Sequence, residues 1–182
     1  MRNRIVLIIT SFLFVITALL MIYSKEKVLT EGTVIELETQ PVDPRDLLRG
    51  DYVILDYKIN HIKFEKDFGA VNPGKDAFVQ LEQKGRYWEA KKAYTFPQNN
   101  MGIFLKGRLK RQFVLSPVRV DYGIESYFVP EGKGKQIEET IRRRGSDKIT
   151  VEVAVDKEGK AVIKQLLLNG QPYRFSEAGG HK

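Results

Sequence analysis

Hydrophobic and polar positions divide the chain into an apolar head and a remainder of mostly period two. Ile5–Tyr23 is a run of 19 residues without a charge, diluted only by Thr10, Ser11 and Thr17. A helix of that length rises about 28 Å, close to the hydrocarbon thickness of a bilayer. Beyond it, alternation predicts strands. Residues 28–39 set Val34, Glu36 and Glu38 on one face and Thr33, Ile35 and Leu37 on the other. Residues 51–60 begin apolar on both faces and become one-sided toward Lys58, the pattern of a strand that is buried and then emerges. Residues 76–83 and 86–96 flank Lys84-Gly85 as a hairpin. In residues 101–111, Ile103, Leu105 and Leu109 face one way, and Lys106, Arg108 and Lys110 the other. A strand over 113–122 is broken at Ser116-Pro117, and 149–155 pairs with 161–168 around Asp156-Lys157-Glu158-Gly159. Asn169-Gly170 is a further turn. Residues 135–144 read as one short helix, with Ile137 and Ile141 at i, i+4, Arg142 to Arg144 at the negative end of its dipole, and Gly145 as its stop. Residues 176–182 read as a frayed tail. The expected class is α+β, mainly antiparallel β with one short helix, preceded by one N-terminal transmembrane helix.

The flanks of the apolar run favour an uncleaved anchor. Arg2 and Arg4 precede it, and Lys25, Glu26 and Lys27 follow. A cleaved signal peptide would have a shorter apolar region ending in a small-x-small site, whereas this one ends Leu20-Met21-Ile22-Tyr23-Ser24. Tyr23 stands where an interfacial aromatic belongs. A first anchor followed by a long C-terminal domain is expected to lie with its N-terminus in the cytoplasm. The expected division is 1–24, cytoplasmic N-terminus and anchor, and 25–182, a single extracytoplasmic β-rich domain at the cell membrane. Residues 1–24 hold two of the 30 basic groups and none of the 23 acidic ones, so the outer domain carries 28 against 23, a net charge of +5. That modest excess suits a solubilising balance or contact with an anionic lipid or envelope polymer. Nucleic acid is excluded by compartment. Cysteine is absent, which removes thiolate chemistry, disulfides and lipid attachment through cysteine.

The densest local pattern is PVDPRDLLRGDYVILDY, residues 41–57. Pro41 and Pro44 fix φ and remove donors, Asp43 and Asp46 are turn formers, and Gly50 permits a sharp bend. Asp43, Arg45, Asp46, Arg49 and Asp51 make the loop before the strand a candidate partner-binding surface. The competing reading is structural: Tyr52, Leu55 and Tyr57 in the core, with the Arg and Asp residues tying down the loop.

Gly50-Asp51-Tyr52, Leu55 and Tyr57 spell G-D-Y-x-x-L-x-Y. This string resembles the defining motif of the GDYXXLXY protein family, membrane-anchored bacterial proteins without an established activity. A second stretch, Tyr122-Gly123-Ile124-Glu125, then Tyr127-Phe128-Val129-Pro130-Glu131-Gly132, resembles a block of the same family. The resemblance implies a single-pass envelope protein, often paired with multi-pass membrane proteins. Its expected partners are the bilayer, through Ile5–Tyr23, and an integral membrane protein.

Chemistry is sparse. Glu125 and Glu131 either join Asp51 or Asp121 around a hard cation or, the favoured reading, cap and solvate a loop. No metal and no cofactor is expected. His181 lies in the tail and His61 reads as a surface residue, so a zinc site or a Ser-His-Asp triad is not supported. The expectation is a non-enzymatic accessory or binding protein with no catalytic residues. The alternative is a signal-peptidase-like scaffold. The anchor, the outer β domain, Arg49-Gly50-Asp51 and the closing hairpin resemble bacterial signal peptidases, membrane-bound serine hydrolases. The departure is that residues 40–48 hold no serine where those enzymes place their nucleophile, which suits an inactive relative; Ser116 and Ser126 lie elsewhere.

Overall fold

A computed structural model describes residues 2–40, 52–62, 73–110, 118–130 and 149–173. The expected helix over 135–144, the first half of the strand over 113–122 and the tail lie outside these residues.

Helix α1 runs over Arg2–Glu31. Its length from Asn3 to Glu31 and its apolar composition are sufficient to cross a membrane. The large apolar side chains between Ile5 and Tyr23 are exposed, as a lipid-facing segment requires. The helix passes beyond the apolar run into residues expected to begin a strand. Val28 is helical and buried against the β domain, 7% exposed, and Thr30 Oγ1 donates to the Glu26 carbonyl one turn back. Packing of Val28 and the helix-forming run Lys25-Glu26-Lys27 thus override the strand pattern there. Gly32 ends the helix, its N–H donating to the Val28 carbonyl at 3.0 Å.

The remainder is antiparallel. Strands β1 (Thr33–Glu38), β9 (Ile149–Val155), β10 (Ala161–Leu168) and β11 (Gln171–Pro172) form one sheet in the order β1-β9-β10-β11. Strands β3 (His61–Ile62), β4 (Asp76–Lys84), β5 (Tyr87–Tyr94), β6 (Phe104–Leu109) and β7 (Val118–Asp121) form a second, in the order β3-β7-β6-β4-β5. A two-stranded ribbon joins β2 (Tyr52–Ile54) to β8 (Ser126–Phe128). The fold is therefore α+β and mainly antiparallel, with a single apolar N-terminal helix. The segment expected as one strand over 51–60 is shorter and turns: β2 is followed by a 3-10 turn, Lys58–Asn60, and then by β3.

Alternation places the core as the sequence pattern indicates. Val53, Leu55 and Tyr57 are buried, as are Leu105 and Leu109, while Lys106, Arg108 and Lys110 are exposed. Ile35 and Leu37 of β1, Val151 and Val153 of β9 and Leu166 of β10 join Val79, Leu105 and Val120 in one cluster. On the other face of β1 Val34 is exposed, but Glu36 and Glu38 are buried. Glu36 accepts from Thr150 Oγ1 and Arg86 Nε, and Glu38 accepts from Lys58 Nζ at 2.7 Å. Such bonds offset the desolvation cost of burying a carboxylate.

Gly107 marks the tightest approach within the second sheet. A Cβ there would lie 2.5 Å from Val120 Cγ1 and 2.8 Å from the Asp121 carbonyl oxygen. Gly107→Ala is expected to cost about 1–3 kcal/mol in denaturant unfolding of the detergent-solubilised protein. The neighbouring exposed change Lys106→Ala is expected to cost about 1 kcal/mol or less.

Candidate functional site

Within eleven residues, 52 to 62, the chain contacts all three sheets. β2 pairs with β8 in the register Tyr52↔Phe128, Val53↔Tyr127 and Ile54↔Ser126. The Leu55 N–H extends that ribbon by donating to the Glu125 carbonyl at 2.8 Å. The chain then meets β1: Gln40 N–H donates to the Asp56 carbonyl at 2.7 Å, and Thr39 bridges Tyr57. His61 and Ile62 pair with Arg119 and Val118 of β7.

Two buried tyrosines lock this segment to residues 120–125 in both directions. Tyr57 OH donates to the Ile124 carbonyl at 2.8 Å, and Tyr122 OH donates to the Ile59 carbonyl at 2.7 Å. Asn60 closes the turn between them. Its Oδ1 accepts from Tyr57 N–H at 2.6 Å, and its Nδ2 donates to the Val120 carbonyl at 2.6 Å and to Glu125 Oε1 at 3.1 Å. The Glu125 carboxylate also accepts from the N–H groups of Tyr122 and Gly123, at 2.6 and 2.8 Å. Glu125 is thus the cap of its own loop. Among the described residues, no group of three or more His, Asp or Glu side chains is placed to hold a metal ion. Burial, and then the nearby Glu125 carboxylate, push both phenols well above the ordinary tyrosine range.

A charged lattice flanks the lock. Asp56 accepts from His61 Nε2 at 2.9 Å and from Arg119 Nη1 at 2.7 Å. Arg119 Nε donates to Asp121 at 2.9 Å, and Lys110 lies 3.3 Å from the other oxygen of Asp121. Burial alone would lower the Arg119 guanidinium, but Asp121 and Asp56 outweigh it and hold its pKa above the ordinary value. His61 is therefore not the surface residue expected. It is half-buried, with Asp56 orienting it through Nε2. Chemically the lattice is a neutralised seam, in which two carboxylates engage three basic side chains across β3, β7 and the end of β6.

A family model described as GDYXXLXY protein matches residues 14–166. The chain belongs to the GDYXXLXY family. Among curated proteins and among solved structures, none matches it significantly.

The GDYXXLXY letters fall on the lock. Tyr57 is fully buried and Leu55 is 4% exposed, whereas Tyr52 is half-buried and rests against Phe128 with ring centroids 6.0 Å apart. Of the second block, Tyr127 pairs with Val53, the Glu125 carbonyl accepts from Leu55 N–H, and Tyr122 OH reaches the Ile59 carbonyl. Tyr127 is half-buried; Gly123 and Pro130 are exposed. Gly50 and Asp51, the loop residues Asp43, Arg45, Asp46 and Arg49, and Glu131 lie outside the described residues. Of the two serines weighed for hydrolysis, Ser126 is exposed on β8 and Ser116 lies outside the described residues. Sequence reasoning missed Asn60 and the lattice of Asp56, Arg119 and Asp121. These polar residues have no local spacing that announces partners 60 positions away. The one available signal was Asn60 three residues after Tyr57, the spacing of a side chain that caps a turn.

Two outcomes follow for the lock. Tyr57→Phe or Tyr122→Phe leaves a buried carbonyl unpaired and is expected to cost about 1–3 kcal/mol in denaturant unfolding. Each phenol loses its proton at higher pH folded than unfolded. The stability it contributes is complete below the ordinary tyrosine value of about 10 and falls as pH rises above it. In an alkaline titration followed by phenolate absorbance, Tyr57 and Tyr122 are expected to ionise only as the domain unfolds.

Proposed function

We propose that this GDYXXLXY protein is a membrane-anchored binding domain, non-enzymatic, whose partner is an integral membrane protein. In this reading the N-terminus is cytoplasmic and residues 25–182 stand outside the cell membrane. Arg2 and Arg4 before the apolar run, and the long domain behind it, favour that orientation.

The observation that carries the reading is the outer face of the β2–β8 ribbon. Phe128 is 77% exposed and lies beside Tyr52, with Ile54 and exposed Ser126 on the same face. Large aromatics at the surface of a rigid element are the usual anchors of protein interfaces. Asp51, the last of the candidate residues Asp43, Arg45, Asp46, Arg49 and Asp51, directly precedes Tyr52 in the sequence. The inward side chains Leu55 and Tyr57 are engaged in the core, which suits a platform for that face. The basic strand face is a weaker candidate for anionic lipid or envelope polymer. Lys106 lies 2.8 Å from Asp76, and Lys110 lies 3.3 Å from Asp121.

A photo-cross-linker at position 128 in native membranes, followed by mass spectrometry, tests the proposal. A stoichiometric integral membrane protein is expected. Phe128→Ser, or Arg49→Ala with Asp51→Ala, is expected to weaken association about tenfold or more with unfolding unchanged. A solitary protein at every position would overturn the proposal. If the Arg49 and Asp51 variants unfold the domain, those residues are structural.

A further inference from the structure

A cavity of about 480 Å³ lies where α1 meets the β domain. One wall is the last two turns of the helix, with Tyr23, Lys27 and Glu31 at i, i+4 and i+8 on one face and Ser24 beside them. The opposite wall is the β9–β10 turn with Lys157, Glu158 and Lys160. The walls are held rigidly. A Cβ at Gly32 would lie 2.3 Å from the Val28 carbonyl oxygen and 3.1 Å from the Val155 backbone, so helix and strand touch there without an intervening side chain. The turn is braced in its own right, because Asp156 Oδ1 accepts the N–H groups of Glu158 and Lys160 at 3.0 and 2.7 Å. Lys106 N–H of β6 also donates to the Gly159 carbonyl at 2.8 Å.

The position of this cavity along the helix is informative. The apolar run ends at Tyr23, and Ser24 to Glu31 continue about 12 Å further. The headgroup layer of a bilayer is about 5–8 Å deep on each side, so the helical wall starts at its inner boundary and spans it. Among the described residues no ion pair engages Lys157 or Lys160, and Lys27 lies 3.9 Å from Glu31, a loose contact between exposed side chains. Lys27, Lys157 and Lys160 therefore line a cavity beside the end of the apolar run together with three acids, Glu31, Asp156 and Glu158, of which Asp156 is engaged by the N–H groups of its own turn.

We infer that this cavity holds the phosphate-bearing headgroup of a membrane phospholipid. Lys157, Lys160 and Lys27 would bind the phosphate through charge-assisted hydrogen bonds, and Glu31 or Glu158 would face a headgroup ammonium where one is present. The acyl chains would descend along the helix past Tyr23. The inference rests on α1 being an inserted anchor, which resistance to alkaline carbonate extraction measures separately.

The test is native mass spectrometry of the full-length protein in mild detergent, titrated with phosphatidylethanolamine, phosphatidylglycerol, diacylglycerol and glycerophosphate. Retention of a phospholipid, without retention of diacylglycerol, is expected. Lys157→Ala with Lys160→Ala is expected to weaken it roughly tenfold to thirtyfold. Ser24→Trp keeps every charge and intrudes on the cavity, and it is expected to weaken retention about tenfold or more. Diacylglycerol held as well as phospholipid, or Ser24→Trp without effect, would overturn the assignment. Glycerophosphate bound as tightly as the lipid would overturn the lipid source and leave a site for free phosphate esters. A chain that resists carbonate extraction yet retains no phospholipid would refute the headgroup site while leaving the anchor intact.

Discussion

The joining of the sheets in the β domain depends on the buried exchange of hydroxyl-to-carbonyl hydrogen bonds between Tyr57 and Ile124 and between Tyr122 and Ile59. In a dry interior an unpaired carbonyl costs about 1–3 kcal/mol. The two segments therefore satisfy one another or neither is stable. That reciprocity makes eleven residues the junction of three sheets, because β2, Tyr57 and β3 each pair with a different one. Asn60 lets the chain turn between those pairings by satisfying Tyr57 N–H and the Val120 carbonyl with one amide. The GDYXXLXY motif, on its described residues, is a joint.

Charge is distributed on the same principle. β1 buries two carboxylates next to the core, and Arg86, Thr150 and Lys58 come from distant parts of the chain to meet them. Arg86 also donates to the Gly170 carbonyl at 3.2 Å, linking the β4–β5 and β10–β11 turns. The Arg86 contacts thus tie the β4–β5 turn to the sheet of β1 and β10, while the tyrosines tie the segment after β2 to the segment after β7. The strand face that looks basic in sequence is largely matched by Asp76 and Asp121.

The anchor and the domain are mechanically continuous. The helix does not end at the apolar boundary but carries Val28 into the domain and stops where the backbone of Gly32 meets that of Val155. The exposed Tyr52–Phe128 face and the junction cavity therefore have defined positions relative to α1. A flexible linker would leave both to diffuse.

Local pattern by itself determined the single apolar helix, the antiparallel β class, the hairpins over 76–96 and 149–168, and the family. Each depends on periodicity, turn residues or a short string, all of which are local along the chain. The inward set Val53, Leu55 and Tyr57 was legible for the same reason. Only the tertiary structure decided that residues 28–31 are helical, because the burial of Val28 outweighs its β preference. Only it decided that the segment after β2 turns and that His61 is held by Asp56, whereas capping of a loop by Glu125 was already the favoured reading of the sequence. Polar partners such as Tyr57 and Ile124 lie 67 residues apart and leave no trace in spacing. A hydrogen bond constrains where two groups meet in space, and sequence separation carries no information about that meeting until the sheets have packed.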